Sequence, residues 1–287
     1  PGAFAYAYAG PVFRLRTGER GEFMQAGIES FGRTDATAAD AEILGLALEG
    51  LDLLDLAGAR VRFGDMGLLT AVIGALGIAP AAKRRVMRAI VSGQGLTGLA
   101  ETDAGAPEHA GLLAAIEGQA PQAAKAFVED ILSIAGIASV GGRSAGEIAE
   151  RFLSRAANRS GLPEEARQVL ERYLAIEGDP DESADAARRL VADAGLAVGP
   201  ALDAFEERTG FMAARGLDVS SLAFAATFAR NLDYYTGFIF EVLDPRREDG
   251  KPVVGGGRYD RLLQHLGAPG PIPAVGCSFW LDRIGTL

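Results

Sequence analysis

Strand-forming patterns occupy both ends of this 287-residue chain and helical patterns fill the middle, an arrangement that constrains the fold more than any other feature. Residues 4–31 read FAYAYA, VFRLR, a polar turn at TGERG, and EFMQAGIESF, with the alternation and turn residues of an antiparallel hairpin. From residue 220 the pattern returns as SLAFAATFAR, GFIFEVL, a polar turn at DPRREDGK, VVGGG, a short helix in RYDRLLQHLG and a last strand in PAVGCSF. Strands so far apart in sequence leave open edges unless they share a sheet. The sequence therefore predicts an α+β fold whose mostly antiparallel sheet, flanked by helices, is completed across a helical insertion.

The expected organisation is a first part of the core at 1–78, a helical insertion at 79–215 and a second part of the core at 216–287. ATAADAEILGLALEGLDLLDLAG predicts a long amphipathic helix, GARVRFGD a short strand and MGLLTAVIGALG a helix ending at glycine. Further helices are expected to begin near Pro80, Pro107, Pro121, Ser144, Pro163 and Ser183, several opened by proline or a capping residue.

Hydrophobic residues make up 48% of the chain, enough for a substantial core, and no window approaches the roughly 18 uninterrupted apolar residues of a membrane span. The first residues alternate like a strand and have no basic-then-apolar leader pattern, and a single cysteine, Cys277, precludes an intramolecular disulfide. These features predict a cytoplasmic protein. A net charge of -10 disfavours nucleic acid as a partner. His109 and His265 stand outside any metal-like cluster, no Walker pattern occurs and the absence of GxSxG leaves a Ser–His–acid triad without an elbow, so no metal or cofactor is expected.

In EFMQAGIES the two-residue period places Met24, Ala26 and Ile28 on one face and Gln25, Gly27 and Glu29 on the other. Two hydrogen-bonding side chains about 7 Å apart with a glycine between them suit the floor of a small-ligand pocket, or equally an ordinary solvent-facing strand. ARNLDYYTGFIFEV sets Arg230, Asp233, Tyr234 and Tyr235 at the mouth of a strand that reads as apolar on both faces and hence central. In VVGGGRYD three glycines allow close backbone approach, with Arg258 and Tyr259 expected to close over the space.

Taken together, GPVFRLR with EFMQAGIESFG, ARNLDYYTGFIFEV, VVGGGRYDRLL and PAVGCSFWLDRI resemble the histidyl-tRNA synthetase lineage of class II aminoacyl-tRNA synthetases. The resemblance implies a class II-like fold with a histidine site. In it Gln25 and Glu29 hold the amino group and imidazole, and Tyr235 and Tyr259 line the ring pocket with Tyr234 and Gly256 beside them. Arg230 faces the carboxylate. Arg14 and Arg283 match the arginines that bind ATP phosphates in true synthetases.

Three departures point to one branch of the lineage. Trp280 stands where the family usually has glycine beside adenosine, the TGERG turn is shorter than its counterpart, and no counterpart of the anticodon-binding domain is expected. Motif 1, the N-terminal part of the family's fold, also has no counterpart in these residues. The branch resembled is the regulatory subunit of short-form ATP phosphoribosyltransferase. That implies a non-catalytic protein which partners the catalytic subunit, takes histidine as effector, and self-associates as a dimer within a hetero-octamer. Its nucleotide site, marked by Arg14, Trp280 and Arg283, would be vestigial. A synthetase-like enzyme that activates histidine with ATP, and a pure scaffold with a vestigial pocket, remain as alternatives.

Overall fold

The computed structural model describes residues 2–14, 21–96, 99, 121–134, 139–140, 143–144, 162–229 and 234–284. The chain divides into two compact units, one of Pro1–Leu76 with Gln168–Leu287 and one of Gly77–Arg167. The described elements begin with β1 (Phe4–Phe13), β2 (Glu22–Phe31), α1 (Ala36–Asp52), β3 (Arg60–Asp65) and α2 (Met66–Ala75). Next come α3 (Pro80–Val91), α4 (Pro121–Ile134), β4 (Ser139–Val140), β5 (Arg143–Ser144) and α5 (Glu164–Leu174). β6 (Glu177–Gly178), α6 (Pro180–Asp193), α7 (Gly199–Ala214) and β7 (Ala223–Ala225) follow, and β8 (Phe238–Leu243), β9 (Val254–Arg258), α8 (Leu262–His265) and β10 (Ala274–Trp280) complete the order.

The first unit carries an eight-stranded sheet in the order β1-β2-β10-β9-β8-β3-β7-β6. All its pairings are antiparallel except β3 with β7. The terminal hairpin is continuous, from Phe4↔Phe31 to Phe13↔Glu22. β8 is central, as its composition predicts, but it is not apolar on both faces. Glu241 interrupts one of them, 8% exposed and ion-paired with Arg62.

One face of this sheet is closed by aromatic packing. Phe63 of β3 meets Phe205 of α7, Phe224 of β7 and Phe238 of β8 at centroid distances of 6.0, 5.5 and 5.7 Å, and all four rings are buried. Such contacts add about 0.5–1.5 kcal/mol each to the burial of the rings. α1 buries Ile43, Leu44, Ala47 and Leu51, the i, i+3, i+4 stripe its sequence encodes.

Some boundaries differ from the sequence expectation. α6 begins at Pro180 rather than near Ser183, because the Asp179 carboxylate accepts the Asp181 and Glu182 N–H groups and proline fills the first helical position. SLAFAATFAR contributes only Ala223–Ala225 as strand, since Phe228 N–H turns back to the Ala225 carbonyl. Ser144 pairs with Ser139 in a two-strand ladder. The helix expected from Pro107, the TGERG turn from Thr17 to Arg20 and the residues following Ser144 up to 161 lie outside the described residues. No helix among the described residues is long and apolar enough to cross a membrane.

Candidate functional site

Register places the predicted polar residues on the face of the sheet opposite the helix α1. Glu29 stands across from Tyr6 on β1 and Gly276 on β10, Gly27 across from Tyr8 and Ser278, and Gln25 across from Trp280. Beyond β10, Gly257 and Gly255 of β9 lie opposite Gly276 and Ser278. Gly27, Gly276, Gly255 and Gly257 thus line this face without side chains of their own, and neighbours lie over three of them: Tyr8 over Gly27, the Glu29 carboxylate over Gly276 and Tyr235 over Gly257. The face is not an ordinary solvated surface: Gln25 is 4% exposed.

Tyr8 explains that burial. Gln25 Nε2 donates to the Tyr8 hydroxyl at 3.1 Å, Tyr8 donates to Ser278 Oγ at 3.3 Å, and the phenol ring lies against the bare Cα of Gly27, where a methyl would be 2.5 Å from its oxygen. Burial raises the Tyr8 pKa, so the hydroxyl keeps its proton.

Tyr259 follows β9, tied by its N–H to the Ala274 carbonyl at 2.7 Å, and its hydroxyl donates to Glu29 Oε2. Burial raises the pKa of Glu29, although the Tyr259 hydrogen bond pulls it down; burial and then the Glu29 charge push Tyr259 well above the usual phenol value. The ring of Tyr234 meets Tyr259 edge-on at 5.9 Å and packs on Tyr235 at 4.7 Å. The backbone of this tyrosine loop is pinned by Thr236 N–H to the Arg258 carbonyl at 2.8 Å and by Met66 N–H to the Gly237 carbonyl at 3.0 Å. Gln25, Glu29, Tyr234, Tyr235 and Tyr259 are therefore brought together. Arg230 and Asp233 lie outside the described residues.

The Gln25 amide, the Glu29 carboxylate and the phenols of Tyr234, Tyr235 and Tyr259 gather hydrogen-bonding groups of both signs on one part of this face.

Trp280 closes the β10 end of the same face and is 7% exposed. The Arg283 guanidinium stacks over the indole at 4.7 Å, and its Nη1 donates to the Pro252 carbonyl at 2.5 Å. Arg14 is exposed at the far end of β1, its guanidinium 5.6 Å from the ring of Phe23.

Two expectations need correction. Arg258 does not close over the floor beside Tyr259; alternation along β9 sends it to the opposite, helix-covered face, where it binds Asp40 of α1. Gly256 likewise presents its bare side to Cys277 and Phe240, away from Gln25 and Glu29, and offers the pocket only backbone. Sequence reading also missed Tyr8, Asp40, Asp65 and Arg208. Tyr8 shares the phase of the polar face only once the hairpin register is known, and the three buried charges look like ordinary polar positions on amphipathic elements.

Cys277 shares the helix-covered face, 2% exposed, and burial pushes its thiol up to about 12. The folded chain should stay unreactive to a thiol-specific disulfide reagent at about pH 8 and titrate one thiol once guanidinium is added. Rapid labelling of the folded chain would contradict this burial.

A family model described as histidyl-tRNA synthetase matches residues 2–138 and 147–284. Relatives include the ATP phosphoribosyltransferase regulatory subunits of Mesorhizobium japonicum and Agrobacterium fabrum. The first is 38% identical, over 98% of this chain and 77% of that protein, and the second 37% identical, over 97% and 76%. Among solved structures, the ATP phosphoribosyltransferase regulatory subunit/histidyl-tRNA synthetase of Bacillus halodurans superposes with a TM-score of 0.64 at 20% identity, covering 98% of this chain and 57% of that one. An ATP phosphoribosyl transferase (HisG:HisZ) complex from Thermotoga maritima gives 0.52 at 15% identity, over 98% and 74%. At these identities the two structures bear on the fold, which is shared.

Proposed function

The chain belongs to the histidyl-tRNA synthetase family and, within it, to the ATP phosphoribosyltransferase regulatory subunits, and on that premise we propose that it serves the catalytic subunit of that enzyme as a non-catalytic, histidine-sensing partner. Histidine is the effector, held by Gln25 and Glu29 with Tyr234, Tyr235 and Tyr259 around the ring, the backbone near Gly256 below it and Arg230 at the carboxylate. Following the same resemblance, two such chains pair within a cytoplasmic hetero-octamer with the short-form catalytic subunit.

The observation that carries this reading is the contrast between the two ends of one sheet face. At one end Tyr259 donates to Glu29 and Gln25 to Tyr8, with Gln25 and Tyr259 buried. At the other, the indole of Trp280 lies under Arg283, whose guanidinium is committed to that ring and to the Pro252 carbonyl. A phosphate-binding arginine held in this way is not presented to a nucleotide, and the indole occupies room that adenine would need.

Control of this kind requires histidine to bind one assembly state more tightly than another, because equal affinity for both shifts nothing. Mixed with the short catalytic subunit, the chain should co-elute in a larger complex, raise its phosphoribosyltransferase activity and make that activity sensitive to histidine. It should not exchange pyrophosphate into ATP in the presence of histidine. Failure to co-elute or activate counts against the partnership; histidine-dependent exchange identifies a synthetase-like enzyme instead.

A further inference from the structure

Behind the pocket, on the helix-covered face, five charged residues form an alternating chain: Asp260, Arg258, Asp40, Arg208 and Asp65. Arg258 Nη1 donates to Asp260 Oδ1 at 2.9 Å and Arg258 Nε to Asp40 Oδ1 at 2.8 Å. Arg208 Nε donates to Asp40 Oδ2 at 2.9 Å and Arg208 Nη1 to Asp65 Oδ2 at 2.6 Å. Asp40 is 0% exposed, and Arg258, Arg208 and Asp65 are 5%, 5% and 6% exposed. Burial pushes the Arg208 guanidinium down, but Asp65 and Asp40 outweigh it and leave its pKa raised, so the cation persists. Asp40 is the link between the two arginines, with one oxygen for each.

Both ends of the chain of charges reach the tyrosine loop. At one end the Arg258 carbonyl accepts Thr236 N–H, and Asp260 N–H donates to Thr236 Oγ1 at 3.1 Å. Asp260 Oδ1 also accepts Ala274 N–H at 2.9 Å, locking the turn that carries Tyr259. At the other end Asp65 caps α2 through Leu68 N–H at 2.9 Å, and the adjacent Met66 N–H holds the Gly237 carbonyl at 3.0 Å. Between these ends the Arg208 guanidinium packs on the ring of Phe238 at 5.2 Å and the Arg258 stem lies over Gly237, where a methyl would be 3.1 Å from Cδ. The segment bearing Tyr234 and Tyr235 is thus held at Thr236 and Gly237, immediately after the tyrosines, by the backbone of residues that carry or adjoin the buried charges.

We propose that Asp40 is a positioning residue for the amino-acid pocket: by tying Arg258 to Arg208 it sets where Tyr259 and the Tyr234–Tyr235 loop stand, and hence how tightly histidine is held. This rests on the reading of the pocket as a histidine site. A buried pair arranged for packing alone would be served by apolar residues, whereas a linked chain of hydrogen bonds fixes the relative placement of β9, α1, α7 and the start of α2.

L-Histidine is titrated calorimetrically into the full chain, alone and with the catalytic subunit. Asp40→Asn keeps the shape and removes the charge that holds both guanidiniums. Its Kd should rise about tenfold or more, the scale seen when a supporting residue behind a binding site is lost. Leu190→Ala, a buried truncation on α6 (3% exposed), supplies the effect of lost stability alone and should leave Kd within about twofold. If Asp40→Asn fails to fold, Asp40→Asn with Arg208→Gln keeps the net charge of the group and should fold with the same weakened affinity. Unchanged affinity in the folded Asp40 variants, or equal weakening by Leu190→Ala, overturns the proposal while the histidine site stands. No histidine heat from the unaltered chain in either state overturns both.

Discussion

Glu29→Ala should weaken histidine binding roughly 10- to 100-fold and make the assembled complex correspondingly deaf to histidine, since a charge-assisted hydrogen bond is worth about 1.5–3 kcal/mol. Glu29 sits on the floor beside the bare Gly276, accepts from Tyr259 and is the carboxylate on the polar face of β2. Removing it leaves the buried Tyr259 hydroxyl without that acceptor and the ligand's donors without an anion. Complex formation with the catalytic subunit should be unchanged, which separates loss of sensing from loss of folding. Full feedback in the Glu29→Ala complex would sink the pocket assignment and leave family membership untouched.

The raised pKa of Glu29 adds a pH dependence with a definite sign. Burial makes the folded chain hold this proton more tightly than the unfolded chain, so the group's contribution to stability is fully present below the unfolded carboxylate value and is lost as pH rises through the folded one. A cationic ligand favours the ionised form. Histidine affinity should therefore fall as pH drops through the raised Glu29 pKa, and Glu29→Gln should flatten that part of the profile. An identical slope in Glu29→Gln would place the titrating group elsewhere, the ligand's own imidazole included.

Gly276→Ala should damage both the sheet and the site. Its methyl would coincide with the Glu29 carboxylate, 2.6 Å from that group's carbon and 2.6 Å from the Ile28 carbonyl oxygen. The carboxylate can swing away, at the expense of the pocket. The carbonyl belongs to the backbone of the paired strand and cannot withdraw without opening β2 from β10. Overpacking of this kind costs about 3 kcal/mol, or roughly 6–12 °C in Tm for a chain of this size. Gly210→Ala is the matched opposite: it lies within α7, where an added methyl meets nothing within 4 Å beyond the helix's own backbone, and alanine there should stabilise by about 1 kcal/mol. Thermal unfolding followed by circular dichroism compares them directly. A Gly276→Ala chain as stable as the original would show that the strands tolerate separation at the site.

What the sequence alone determined was local. Period-two alternation marked β1 and β2, a run apolar on both faces marked β8, the helical apolar pattern marked α1, Gln25 and Glu29 stood out on one face of a strand with a glycine between them, and Tyr234, Tyr235 and Tyr259 stood out beside glycines next to strands. These signals are legible because each depends on residues a few positions apart. Where a distant partner set the outcome, the reading fell short. Arg258 looked like part of the pocket until pairing with β10 and β8 fixed which way alternate residues of β9 point, and Tyr8 gained a role only from its register against Gly27.

Only the tertiary structure could assemble Asp40, Arg208 and Asp65, which come from α1, α7 and the end of β3, with hydrogen bonds spanning 168 and 143 positions in sequence. A buried charge and a solvated one are the same letter in a sequence. What distinguishes them is the loss of water around the side chain, and that is decided by which elements pack over it.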